Sequence, residues 1–305
     1  YGTSIPRYFI YKLYWLLCGF SMLIIAGLFW VRGIPNSFKQ RFSIATSRFK
    51  GAALIGFIIF FLAFLGLGFT ISQEGGNKLN RVSAKEYEKR RVNWEKTYKK
   101  YENYDQPRIV AVKTDVNLYP KERVFDASAT FTMINKTEKA IDSIFLNHNS
   151  LKSTFTFNKP NTLVLEDTIN NFDIYKFENT ILPGDTLELS VTVESAKNTI
   201  YRRNSPIREN GTFINNFSMF PSLGYSSASE LRDNQTRRKY GLPKNNLRPH
   251  PSDSTALGNH YISKDSDWID FEAIVSTSED QTAIAPGYLQ KEWLDGERRY
   301  FHYKM

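Results

Sequence analysis

Four histidines are the first residues to test for chemistry: His148, His250, His260 and His302. A hydrolytic zinc helix needs HExxH, with two histidines on one face to bind the metal and a glutamate between them to activate water. None of the four has a glutamate and a second histidine at that spacing, so no catalytic residue and no metal ligand is assigned. His250 stands in the proline-rich run RPHPSDS, which reads as a solvated loop. The one cysteine, Cys18, lies within an apolar run and permits neither an intrachain disulfide nor a cysteine zinc site. A glycine-rich phosphate loop is also absent, so any ATPase working with this protein is expected to be a separate chain. Glu230, Arg232, Asp233, Arg237 and Arg238 are the densest charges, in ELRDNQTRRKYGL. They read as a functional cluster or as a polar helix ending at Gly241 and held by i,i+4 pairs. Glycosylation sequons begin at Asn135, Asn210, Asn216 and Asn234.

Two apolar runs, residues 13–31 and 52–72, decide where these groups must live. Neither holds a charged side chain, and at about 1.5 Å per helical residue each crosses a hydrocarbon core of roughly 30 Å. Residues 1–76 are therefore expected to form a transmembrane hairpin with a basic connecting loop. Tyr8, Phe9, Tyr11, Tyr14, Trp15 and Trp30 suit an interfacial belt, and Gly51, Gly56, Gly66 and Gly68 would admit a neighbouring helix. The net charge of +9 is concentrated beside the spans: Arg32, Lys39, Arg41, Arg48 and Lys50 between them, and Lys78, Arg81, Lys85, Lys89, Arg90 and Arg91 after them. That placement favours the lipid bilayer as partner and disfavours nucleic acid. The short cationic loop belongs in the cytoplasm, which places the soluble part outside it. A chain opening on Tyr1 without a leader is expected to begin partway through a longer protein.

Past the QEGGNK linker, residues 77–106 hold a juxtamembrane basic helix. Ser83 and Glu86 have capping-box spacing, and Tyr87, Trp94, Tyr98 and Tyr101 share one stripe. The stripe packs on the following domain or lies on the membrane surface. From residue 107 to 305 the period becomes two. Short runs rich in Val, Ile, Thr and Phe alternate with turns such as Pro183-Gly184 and Asp295-Gly296, the pattern of an antiparallel β-sandwich. One large sandwich with an insertion near residues 200–262, or two sheets, fits equally. The last strand stops at Met305, and a truncated domain is expected there.

Pro183-Gly184, Phe220-Pro221, Asp280, Ala285-Pro286-Gly287 and Arg299-Tyr300-Phe301 occur in an order that resembles the amino-terminal domain of the gluzincin, alanyl-type zinc aminopeptidases. The resemblance spans roughly residues 107–305 and implies a mostly β fold with a saddle-like sheet, in which this domain walls the peptide cleft. It also implies zinc in a full-length parent, held by a domain this chain lacks. The preceding spans resemble a type-two ABC exporter permease joined to such a region, implying a multi-pass bacterial inner-membrane protein and an ABC ATPase subunit as partner. The family's glutamine-bearing edge strand is only partly kept in TFINNFSMFPSLGYSS. Asn215 or Asn216 would take the amide's role toward a peptide substrate, with Phe220 and Tyr225 beside it, or the asparagines merely pair along the strand edge. The function expected is thus a membrane-anchored, aminopeptidase-like fragment. Its alternatives are a permease with a non-catalytic β domain and a peptide-binding module.

Overall fold

The computed structural model describes residues 5–30, 33, 37–77, 83–149, 151–195, 205–245, 252–254 and 268–305. Arg32, Lys78, Arg81, His250 and His260 lie outside the described residues. Two compact units result, one holding the helices up to residue 81 and a sheet-rich one formed by residues 82–197 and 206–305.

In the helical unit, α1 (Ile5–Phe29) and α3 (Ala52–Asn77) carry apolar stretches of 22 residues each, Tyr8–Phe29 and Ala52–Gln73, long and apolar enough to cross a membrane. They pack on each other through Tyr14 stacked on Phe64 and Phe20 on Phe60, with ring centroids 4.5 and 5.0 Å apart. Gly68 makes this approach possible, because a Cβ there would stand 3.0 Å from the Tyr14 ring. At Gly56 a Cβ would only touch Ile24 at 3.5 Å, an ordinary contact, and Gly51 and Gly66 face open space. The backbone of α3 continues through part of the expected linker to Asn77. The connecting loop holds a further helix, α2 (Phe38–Arg48), started by Ser37, whose Oγ accepts from the Gln40 N–H.

The second unit has three layers. A seven-stranded sheet runs β10-β11-β9-β1-β2-β7-β4, built from β1 (Arg108–Tyr119), β2 (Val124–Ile134), β4 (Lys152–Phe157), β7 (Thr186–Glu194), β9 (Asp270–Ser278), β10 (Tyr288–Asp295) and β11 (Arg298–Lys304). A four-stranded sheet runs β5-β6-β3-β8, from β3 (Ile141–Asn147), β5 (Asn161–Asp167), β6 (Phe172–Ile181) and β8 (Ser222–Leu223). In β7, Leu187, Leu189, Val191 and Val193 are buried while every second residue is exposed, since that strand is covered on one face only. Val116, Phe131, Met133, Ile144, Leu146, Phe177 and Phe301 join them in the core between the sheets.

The smaller sheet breaks the alternation because both its faces are covered. Phe145, Phe172 and Ile174 point away from the main core and pack on Trp94 and Tyr98 of α4 (Ala84–Tyr98), which forms the third layer. The helix starts as expected, with Ser83 Oγ accepting from the Glu86 N–H. Its aromatic stripe faces the sheet, except that Tyr87 is exposed.

Two details depart from the expected pattern. β1 and β9 run parallel, so the larger sheet is mixed. The chain reaches β9 only after the long stretch 195–269, and a crossover of that length is what parallel pairing requires. In the β10–β11 hairpin, Asp295 pairs with Arg298, so the turn centres on Gly296-Glu297, not Asp295-Gly296. Gly296 has φ +59° at the first central position, as a type II′ turn demands.

Candidate functional site

The segment 205–245, between β7 and β9, carries every residue proposed above to touch substrate. The expected edge strand is a helical turn there, α5 (Asn216–Met219). Asn215 caps it: Oδ1 accepts from Ser218 N at 3.0 Å and from Ser218 Oγ at 2.8 Å. Strand-edge pairing of these asparagines is therefore ruled out. Asn215 and Asn216 are both exposed. Phe220 is a core residue, 7% exposed, with its ring edge-on to Phe131 at 5.7 Å. The turn is tied to the sheet by Asn149, whose Nδ2 donates to Phe217 O at 2.9 Å. Asn147 Nδ2 donates to Gly224 O, and Gly224, at φ +76°, returns its N–H to Phe145 O at 2.9 Å.

Tyr225 belongs to a buried polar network under α4. Its ring stacks on Trp94 at 5.5 Å, and its hydroxyl donates to Glu230 Oε1 at 3.0 Å. Lys99 Nζ reaches the same oxygen at 2.7 Å, Asn245 Nδ2 donates to Oε2 at 3.4 Å, and Arg91 donates to the Glu230 carbonyl at 2.6 Å. Burial, then the hydrogen bond to Glu230, pushes the Tyr225 hydroxyl far above its ordinary pKa. Burial alone would lower Lys99, but its bonds to Glu230 and Glu102 outweigh that and leave it raised. Both groups therefore stay protonated at neutral pH, and neither serves as a base.

Arg237 is the second anchor of this network and corrects the expectation of local pairing. It lies in α6 (Asn234–Lys239), where Asp233 caps the helix through Thr236 and Gly241, at φ +68°, ends it. Arg237 forms no i,i+4 pair. It clasps Glu95 of α4 in a two-pronged bridge at 2.6 and 2.7 Å, and donates to the carbonyls of Leu231 and Pro243. Both side chains are almost fully buried. Nearby, Tyr98 donates to Asp167 Oδ2 at 2.6 Å, which fastens α4 to the end of β5.

The described histidines sit in separate layers. His302 Nε2 meets Glu272 Oε1 at 2.9 Å on the outer face of the larger sheet. His148 follows β3 and faces Asp173 between the sheets, Nε2 to Oδ2 3.3 Å. Among the described residues no group of three His, Cys, Asp or Glu converges as a metal site, so these residues do not fit a zinc centre. Of the sequons, Asn135 is 1% exposed and its amide donates to the carbonyls of Lys139 and Ile181, an interior turn and not a glycan acceptor.

The His148–Asp173 pair makes a pH prediction. Nδ1–H donates to the Asn149 carbonyl at 3.0 Å, so Nε2 carries a proton toward Asp173 only in the charged imidazolium. Burial opposes that charge, but the bonds to Asp173 and Asn149 outweigh it and raise the pKa. Tyr175, beside Asp173 and Glu166, is pushed up to about 12, chiefly by burial. A raised folded value stabilises the fold below the ordinary histidine pKa of about 6.5, and the contribution is lost as pH climbs through the folded value. The stability gap between the native chain and His148→Gln, from urea unfolding, is expected to be largest below about pH 6 and to shrink as pH rises above the ordinary histidine value of about 6.5. A gap that grows with pH contradicts the charged pair.

No family model and no curated protein matches the chain. Among solved structures it is similar to an M1 zinc metallopeptidase from Deinococcus radiodurans, at 14% identity, 67% of this chain, 40% of that chain and a TM-score of 0.38. A mutant of the Deinococcus radiodurans protein bound to a Tyr-Ser-Ala substrate gives the same 14%, 67%, 40% and 0.38. A mutant two-domain M1 zinc metallopeptidase bound to L-arginine gives 14%, 65%, 39% and 0.36. The chain thus spans about two fifths of the length of these proteins, and no residue role is taken from them.

Proposed function

We propose that this chain is the anchor and amino-terminal β domain of an aminopeptidase-like membrane protein, with zinc held by residues outside 1–305. The observation that carries this reading is the order in which the quoted motifs fall on the sandwich. Pro183-Gly184 turns the chain into β7, Phe220-Pro221 leads into β8, Ala285-Pro286-Gly287 leads into β10, and Arg299-Tyr300-Phe301 lies in β11. Two of these glycines have physical reasons to be there. Gly184 sits at φ +85°, and Gly287, at φ +97°, would drive a Cβ to 2.6 Å from the Lys304 carbonyl oxygen. Asn215 and Asn216, exposed at the start of α5, are the surface this reading offers to a peptide, with Phe220 anchoring the end of that turn in the core.

The test is to follow the reading frame past Met305 and to assay the longer product. An HExxH helix is expected within about the next hundred residues. The purified longer protein should release amino-terminal residues from short peptides and lose that activity to a zinc chelator. A frame with no such helix overturns the enzymatic reading, and full activity after Asn215→Ala and Asn216→Ala together overturns the peptide contact.

A further inference from the structure

The helix between the two apolar spans has a pattern that the hairpin alone does not explain. Phe38, Phe42, Ala45 and Phe49 follow at intervals of four, three and four residues, which places them on one face of α2 and its cap at about 100° per residue. The end of that stripe nearest α3 is covered: Ala45 is 3% exposed and Phe49 lies edge-on to Phe57 at 5.4 Å. The other end is not. Phe38 and Phe42 remain 74% and 53% exposed, although their rings lie 6.4 and 6.3 Å from Phe29.

Cations flank the stripe on both sides. On the same rotation, Lys39 and Lys50 fall to one side and Arg41 and Arg48 to the other. Arg48 donates to the Trp30 carbonyl at 3.0 Å, and none of the four has an ion-pair partner among the described residues. The first acid in the sequence is Glu74. Two exposed phenylalanines between two rows of unpaired cations suit a surface that is apolar below and anionic above. Trp30, whose carbonyl takes the Arg48 bond, is itself 78% exposed where α1 ends.

We propose that α2 lies in the interface of an anionic phospholipid membrane, Phe38 and Phe42 turned into the acyl boundary and Lys39, Arg41, Arg48 and Lys50 bonded to lipid phosphates. Long basic side chains reach from such a helix to the headgroups while their stems cover apolar surface. The proposal rests on the reading of α1 and α3 as a membrane hairpin. It adds a lipid class and a second, in-plane attachment on one side of the bilayer.

The test uses the full chain with Cys18→Ser, carrying one spin label at Leu23→Cys, Phe42→Cys or Ser47→Cys, in nanodiscs of phosphatidylcholine with or without phosphatidylglycerol. Relaxation by oxygen against relaxation by a water-soluble nickel chelate reads depth. With phosphatidylglycerol present, positions 23 and 42 are expected in lipid and position 47 in water. Removing that lipid, or combining Lys39→Gln, Arg41→Gln, Arg48→Gln and Lys50→Gln, should return position 42 to water, each cation contributing about five-fold to the partition. Position 23 in water overturns the hairpin itself. Position 23 in lipid with 42 in water in anionic discs overturns the interfacial helix alone. Position 42 in lipid whatever the headgroup overturns the assignment to anionic lipid, and shielding of 42 only after an acidic soluble protein is added assigns the face to a protein.

Discussion

Arg237→Ala is expected to lower the unfolding free energy by about 3–5 kcal/mol, the range for stranding one member of a buried ion pair. The substitution leaves the Glu95 carboxylate under α4 without its two-pronged partner and removes donors from the carbonyls of Leu231 and Pro243. Glu95→Leu should do comparable damage by stranding the guanidinium. The double variant Glu95→Leu/Arg237→Met is expected to be much less damaged than the sum, because no buried charge remains. Urea unfolding followed by circular dichroism measures all three. Additive single effects, or a single effect under about 1 kcal/mol, would mean that the pair is solvated.

Trp94→Ala carries a similar expected loss, about 3–5 kcal/mol, for a different reason. Trp94 is 3% exposed, edge-on to Phe172 at 5.1 Å, stacked on Tyr225, and bonded through Nε1 to the Ser226 carbonyl at 3.2 Å. Truncation opens a cavity between α4 and the smaller sheet that rigid β-strands cannot collapse to fill. For a unit of roughly two hundred residues the midpoint of thermal unfolding should fall by about 6–20 °C. Trp94→Phe keeps most of the packing and loses the hydrogen bond, so it should recover most of that fall. If it does not, the indole N–H and not the ring holds the layer.

The sequence was most legible where a single face is covered. β7 alternates buried and exposed from end to end, and Ser83 announces α4 one residue before it starts. Legibility failed where a second layer or a distant partner decides the outcome. β3 and β6 were legible as strands, but that α4 covers their second face, burying Phe145, Phe172 and Ile174, was not. Asp233 stands four residues before Arg237 and looks like its local partner, yet it caps α6, while Glu95, distant in sequence, takes the guanidinium. Asn215 and Ser218 have the spacing of a helix cap, which was obscured by the resemblance to an edge strand. Between the spans, the four-three-four spacing of Phe38, Phe42, Ala45 and Phe49 that forms α2 lies among the cations of residues 39–50.

The parallel pairing of β1 with β9 also governs the order in which the sandwich can be assembled during synthesis. β1, β2, β7 and β4 can close into a sheet as soon as residue 194 has left the ribosome, but the β9 side of β1 then has no neighbour. At about 5–20 residues per second, the interval between the appearance of β1 and of β9 lasts roughly ten to thirty seconds. Once that sheet has closed, the seven residues of β1 that β9 later pairs, Ala111–Asn117, leave amides and carbonyls open to other nascent chains until β9 arrives. Expression truncated before Asp270 should therefore aggregate even though most of the core residues are present, because the β9 side of β1 then stays open.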